Sequence, residues 1–225
     1  MKFTFYGHSC FAIETGGKKL LFDPFITGNP LAKDIDVNSI EVDYILVSHG
    51  HGDHVGDLLS IAKRSNATII CCAEIAHWVE KQGYTKTQGM NFGLYTFEFG
   101  DIRFVPAAHS SSLPDGSYGG NPGGFIVKNS EGSFYFTGDT CLTMEMHLIP
   151  YYGPLDFAIM PIGGYFTMNA EDAVIASDFI KCNKVIGVHY NSFPPIKIDT
   201  DKAKETFKNA GKELLLPNIG ETITL

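Results

Sequence analysis

Basic residues are scarce in this chain. Its 17 Lys and Arg are outnumbered by 25 Asp and Glu, the formal charge is −8, and no run of Lys or Arg exceeds two. A long nucleic acid would meet net repulsion with no basic stripe to hold its backbone, which excludes it as a partner. Cysteine is also sparse: five residues, an odd number, with no CxxC spacing. The adjacent pair Cys71-Cys72 lies in an apolar, strand-like run, where cysteine behaves as a small buried hydrophobe. All five read as reduced thiols, which predicts a cytoplasmic protein. No apolar stretch reaches the ~18 residues of a membrane span. Lys2-Phe3-Thr4-Phe5-Tyr6 enters a strand pattern with no charged and apolar leader before it, so neither a membrane setting nor secretion is expected. What remains is 44% hydrophobic residues with 24 Gly and 11 Pro in 225. That composition predicts a turn-rich globular chain forming one domain over 1–225, long enough to bury a sizeable core.

One hexapeptide stands out, His49-Gly50-His51-Gly52-Asp53-His54, at the end of the apolar run Val42-Asp43-Tyr44-Ile45-Leu46-Val47-Ser48. With 8 His and 14 Asp in the chain, a chance match to His-x-His-x-Asp-His is expected at a frequency of roughly 6 × 10⁻⁴. Imidazole favours zinc and other transition metals, and carboxylate suits harder divalent ions. His49 and His51, two apart, point the same way where a strand runs out. Asp53 and His54 fall where the chain turns into a helix and face elsewhere, so one hexapeptide can serve two neighbouring metals.

The remaining pattern alternates short strands with helices. Strands are predicted at 2–6 and 9–15, joined by a turn at Gly7-His8, and at 18–22, stopping at Asp23-Pro24. A loop spans 24–41, a helix 55–64, a strand 68–72 and a helix 73–82 ended by Gly83. Strands at 94–99 and 102–108 flank a Gly100-Asp101 turn. A Gly-rich loop covers 110–124, and a hairpin follows at 125–128 and 133–137. Helices are predicted near 142–152, 170–181 and 200–210, and strands at 155–161, 184–189, 213–216 and 222–225. The second half echoes the first. The pattern predicts an α/β molecule (α+β by some schemes) of packed sheets with helices outside.

Three further ligand types end predicted strands: His109, Asp139 and His189. Taken singly, a lone His109 is ordinarily a surface residue, and Asp139 equally caps the helix after it. Taken together with His49, four apolar strands each deliver a ligand-type residue at the C-terminal end, which concentrates them on one rim. His77 and His147 fall inside predicted helices and read as structural.

The pattern His49-x-His51-x-Asp53-His54, followed by His109, Asp139 and His189, resembles the metallo-β-lactamase-fold hydrolases. The resemblance implies a four-layer αββα sandwich of two mixed β-sheets with outer helices. It implies a three-His metal site of His49, His51 and His109, a second site of Asp53, His54 and His189, and Asp139 as the bridge between them. Asp23 resembles the carboxylate that orients a ligating imidazole through its other nitrogen; alone, it equally caps the loop before Pro24. Cysteine in place of Asp139 would have pointed to antibiotic-resistance β-lactamases, and it is absent. Gly7-His8-Ser9, Asp23-Pro24-Phe25 and Gly163-Gly164-Tyr165-Phe166-Thr167-Met168 resemble a narrower branch of small bacterial and archaeal metal-dependent hydrolases related to the ascorbate-6-phosphate lactonases.

The chemistry so implied is hydrolysis at two divalent ions, zinc or manganese first and nickel or iron next. A bridging hydroxide attacks an ester-type carbonyl or phosphorus of a small molecule, a lactone or a phosphodiester. Catalytic roles fall to Asp53, which orients the nucleophile, to Asp139, and to His8 as proton donor or substrate contact; His8 is otherwise an exposed turn residue. The alternative is a metal-binding regulatory or scaffold protein with a vestigial hydrolase site. Loops 24–41, 110–124 and 163–168 are expected to wall a small pocket with Tyr118, Tyr165 or Phe166. Oligomeric state, homo-oligomers included, is left open.

Overall fold

A computed structural model describes residues 1–225. The chain opens as a meander of β1 (Lys2–Gly7), β2 (Cys10–Thr15) and β3 (Lys18–Phe22), then continues in parallel through β4 (Tyr44–Leu46), β5 (Thr68–Cys72) and β6 (Thr87–Met90). The second half repeats this plan. β7 (Gly93–Phe97), β8 (Gly100–Pro106), β9 (Gly123–Asn129) and β10 (Gly132–Phe136) pair antiparallel, and β11 (Phe157–Pro161), β12 (Lys184–Val188) and β13 (Glu213–Leu215) add in parallel. β14 (Thr222–Thr224) returns to the first sheet, with Ile223 opposite Phe3 of β1. The two seven-stranded sheets have the orders β14-β1-β2-β3-β4-β5-β6 and β13-β12-β11-β10-β9-β8-β7. β1 and β8, and β3 and β10, thus hold equivalent places.

Parallel neighbours require crossovers, and helices supply most of them. These are α1 (Gly52–Val55) and α2 (Leu58–Ser65) after β4, α3 (Ala73–Lys81) after β5, α4 (Ala170–Phe179) after β11, and α5 (Thr200–Asn209) after β12. Their buried stripes follow helical spacing: Leu58, Ile61 and Ala62 on α2, Ile75, Ala76 and Val79 on α3, Ala203 and Phe207 on α5. Asn169 and Asp199 cap α4 and α5 by accepting from Asp172 N and from Asp201 N and Lys202 N. Between the sheets, Phe11 meets Phe136 edge-to-face at 5.0 Å, and Phe22 packs on Phe125 and Phe134. Behind the second sheet, Ala158, Met160 and Val185 pack with Ala173, Ala176, Ala203 and Phe207. The result is the αββα sandwich, and none of its helices is long and apolar enough to cross a membrane.

Three local expectations are corrected, and one strand is unexpected. The stretch near 142–152 is 3₁₀-helical over Met144–Tyr152 and contains Pro150, which has no N–H to donate to an α-helical ladder. The helix expected at 55–64 divides at Gly56-Asp57, because the Asp57 carboxylate is drawn to Ile26 N, Thr27 N and the Thr27 hydroxyl. The hairpin turn is Glu98-Phe99, not Gly100-Asp101: Phe97 pairs with Gly100, and Phe99 drops into the core. β6 has no apolar pattern of its own and forms because the β5 backbone templates it, Thr87 opposite Ile69.

Gly138, just before Asp139, has φ +63°, and a Cβ there would lie 2.6 Å from Gly123 O and 2.9 Å from Ser48 Cβ. Gly138→Ala is therefore expected to cost about 1–3 kcal/mol, seen as a lower urea midpoint at unchanged slope.

Candidate metal centre

Two local devices bring side chains to the rim. His8, Asp23 and His189 directly follow β1, β3 and β12, and all three have left-handed backbones with φ +54°, +42° and +55°. Non-glycine residues held there carry strain of order 1 kcal/mol or more and gather at functional sites. His49, His109 and Asp139 each lie three residues beyond β4, β8 and β10. His51 precedes α1, and Asp53 and His54 sit on its single turn. The carrier strands run the same way within each sheet, so their C-terminal ends share an edge.

The side chains fall into two groups. His49, His51 and His109 have ring nitrogens within 4.8 Å of one another, and so do the ligand atoms of His8, Asp53, His54 and His189. Asp139 lies between the groups. Its Oδ2 is 3.0 Å from His189 Nε2, 3.2 Å from His54 Nε2, 3.7 Å from His109 Nε2 and 4.0 Å from His49 Nε2. All seven residues chosen as ligands from the sequence are in this cluster. His77 is exposed on α3, and His147 stacks on Phe179 at 3.8 Å, both apart from it.

Outer contacts orient the rings. Asp23, fully buried, accepts from Ser48 N at 2.7 Å and from Ser48 Oγ at 2.6 Å, and faces His54 Nδ1 at 2.8 Å. A carboxylate only accepts, so His54 Nδ1 carries the proton. Ser48 Oγ also lies 2.9 Å from His49 Nδ1, so Asp23 reaches a second imidazole through that hydroxyl. Ser110 Oγ is 3.3 Å from His51 Nε2. Ser48, Ser110 and Ser192, which bonds His8, were not singled out in the sequence. The first two have a legible signal, a serine directly beside a strand-end histidine; Ser192 has none.

Burial lowers the pKa values of His49, His51 and His109 and brings His8 to about 4. Burial acts the same way on His54, but Asp139 and Asp23 on its two nitrogens overcome it and raise its pKa well above the ordinary value. Burial would raise both Asp139 and Asp53; His189 and His54 hold the first well below the carboxylate range, and the His8 hydrogen bond and His54 hold the second below it. Burial raises Asp23.

The donors fit divalent metal. Asp139 Oδ1 is buried without a hydrogen-bond partner, an arrangement costing about 1–3 kcal/mol unless something satisfies it. His49 Nε2 and His51 Nδ1 face each other at 3.0 Å while serine hydroxyls engage their other nitrogens. Imidazoles and carboxylates converging in this way suit a divalent metal ion. Asp23→Ala is expected to weaken divalent-ion binding about 10–100-fold, read by competition with a chelating dye; unchanged affinity would remove Asp23 from the centre.

Loops 110–124 and 163–168 close on the site through backbone and small side chains, and loop 24–41 through Phe25. Ser111 Oγ accepts from Gly50 N at 3.0 Å and donates to Gly119 O, and a Cβ on Gly50 would be 3.4 Å from Gly119 Cα. Phe25 edges His8 at 5.5 Å. Met168 N donates to Thr140 O, and a Cβ on Gly163 would strike His189 O. Tyr118, Tyr165 and Phe166, expected to supply apolar contact, stand 64%, 80% and 51% exposed. Side chains of Asp53 and His109, 28% and 14% exposed, open the cluster to solvent.

Comparison with known proteins agrees with this geometry. A beta-lactamase superfamily domain profile matches residues 2–189. Over the full length of both chains, the sequence is 51% identical to a UPF0173 metal-dependent hydrolase of Flavobacterium johnsoniae and 49% identical to one of Christiangramia forsetii. The solved structure of Igni18, a metallo hydrolase of the hyperthermophilic archaeon Ignicoccus hospitalis, superposes with a TM-score of 0.88 at 33% identity, covering 99% of this chain and 97% of that one. The chain belongs to the beta-lactamase superfamily, within its UPF0173 metal-dependent hydrolase branch.

Proposed function

We propose that this protein hydrolyses a small ester-type substrate, a lactone or a phosphodiester, at two divalent ions, zinc or manganese. His49, His51 and His109 would hold one ion, Asp53, His54 and His189 would hold the other, and Asp139 would serve both. The observation that carries this is Asp139, whose Oδ2 lies within 4.0 Å of imidazoles from both groups. Bound ions supply Lewis acidity and a water of lowered pKa. The protein's part is to hold His49 and His54 in fixed tautomers through Ser48 and Asp23, and to present Asp53 at the open side to orient the nucleophile. His8 places Nε2 3.2 Å from Asp53 Oδ2, so its contribution passes through that carboxylate. The negative charge of the chain disfavours long polyanions, while a small phosphorylated molecule is compensated by the ions themselves.

Metal analysis followed by a hydrolysis screen over lactones, phosphodiesters and thioesters tests this. Two divalent ions per chain and turnover abolished by chelation are expected. Full metal loading without turnover of any class would favour the scaffold alternative.

A further inference from the structure

His8 is enclosed on its ring faces and edges, and both of its nitrogens are engaged. His189 lies against it at 4.1 Å, and Phe25 and Phe193 meet it edge-on at 5.5 and 5.3 Å. The side chain has no exposure. Nδ1 meets Ser192 Oγ at 2.5 Å, and Nε2 meets Asp53 Oδ2 at 3.2 Å. Ser192 is buried, and its hydroxyl has no other hydrogen-bond partner. A buried hydroxyl left without an acceptor is costly, so Ser192 donates and Nδ1 accepts. The Asp53 carboxylate only accepts, so Nε2 carries the proton. Both ends therefore demand the same tautomer.

Two further observations tie this chain to the centre. β1 and β8 occupy equivalent places in the two sheets and both lead to the rim of the centre, His8 directly after β1 and His109 three residues beyond β8. The His8 carbonyl accepts from His189 N at 2.9 Å, which locks the strained His8 turn to the turn that carries His189 and Ser192.

We propose that Ser192 is a positioning residue. Its hydroxyl fixes the His8 tautomer that donates to Asp53 Oδ2, leaving Asp53 Oδ1, 3.9 Å from His54 Nε2, to face the second group. Ser192 thereby sets the carboxylate orientation from the opposite half of the chain and raises the affinity of that group for a divalent ion. His8 in this tautomer offers no lone pair at Nε2 and is not itself a ligand. The proposal rests on the metal-binding part of the function above.

The test pairs two readouts. In chelator-treated protein, long-range proton–nitrogen correlation of the imidazoles is expected to show His8 protonated at Nε2, with that preference lost in Ser192→Ala. In zinc titrations, Ser192→Ala is expected to weaken the second equivalent about 10–100-fold and leave the first within about twofold, with Ser192→Thr restoring both behaviours. A His8 protonated at Nδ1 in the wild type, or two unchanged equivalents in Ser192→Ala, would overturn the proposal. So would equal weakening of both equivalents, which marks a merely structural role. If Ser192→Ala does not fold, the wild-type tautomer and the Ser192→Thr titration decide. A wild-type chain that binds no zinc would instead overturn the proposed function, and the tautomer would still be read in that protein.

Discussion

Asp139→Ala is expected to lower kcat/KM on the order of 10³-fold or more, equivalent to several kcal/mol of transition-state stabilisation. The size follows from position. Asp139 Oδ2 is within 4.0 Å of His49, His54, His109 and His189, so one truncation removes a donor from both groups at once. It also strips His54 and His189 of the carboxylate between them. Metal content should fall from two equivalents towards one. Asp139→Asn, which keeps the shape and loses the charge, should lose nearly as much. His77→Ala is the control: that ring is exposed on α3 and touches nothing in the cluster, so activity should hold. Kinetics with the best substrate of the screen, together with elemental analysis of each variant, read the outcome. Equal losses in Asp139→Ala and His77→Ala would remove the bridge from the mechanism.

Metal loading is expected to raise stability and release a proton. Asp139 and Asp23, facing its two nitrogens, favour the charged form of His54, so metal loading is expected to release a proton from it. Free ion at about a hundredfold over Kd then adds about 2.7 kcal/mol. The pH dependence of the metal-free chain follows from the shifts. His8, His49, His51 and His109 are lowered, so the unfolded chain takes up their protons more readily; their contribution is complete above about pH 6.5 and is lost as pH falls, towards about 4 for His8. Asp53 and Asp139, held below the carboxylate range, contribute above the unfolded value and lose that contribution only in stronger acid. His54 has the opposite sign, contributing below the ordinary histidine value and losing its share as pH rises through its raised one. With four lowered imidazoles against one raised, the metal-free chain should melt lower at pH 5 than at pH 7. Calorimetric zinc titration in buffers of different ionisation enthalpy counts the proton, and release of none would contradict the charged His54.

The amino-acid sequence by itself determined the fold class and which side chains gather at the rim. Imidazoles and carboxylates that end apolar runs are hard to explain by core packing, so His49, His109, Asp139 and His189, ambiguous one at a time, are legible as a repeated pattern, and the hexapeptide carries members of both groups in six residues. The alternation of short apolar runs with helical stripes likewise encodes the two sheets and their outer helices. Tertiary structure decided the rest. β6 exists because β5 offers it a backbone edge, Pro150 turns an expected α-helix into a 3₁₀ stretch, and Phe99 enters the core and shifts a turn. It also decided that two of the loops approach the site through Gly50, Gly119 and Gly163 and that Tyr118, Tyr165 and Phe166 stand exposed. The partners of the imidazoles were least legible. Asp23 lies 31 residues from His54 and Ser192 lies 184 from His8, and serine is common in any turn. Local periodicity records which face of an element is buried. Which hydroxyl meets which ring is set by how two sheets from different halves of the chain are packed face to face, and that contact leaves no mark on the residues around either partner.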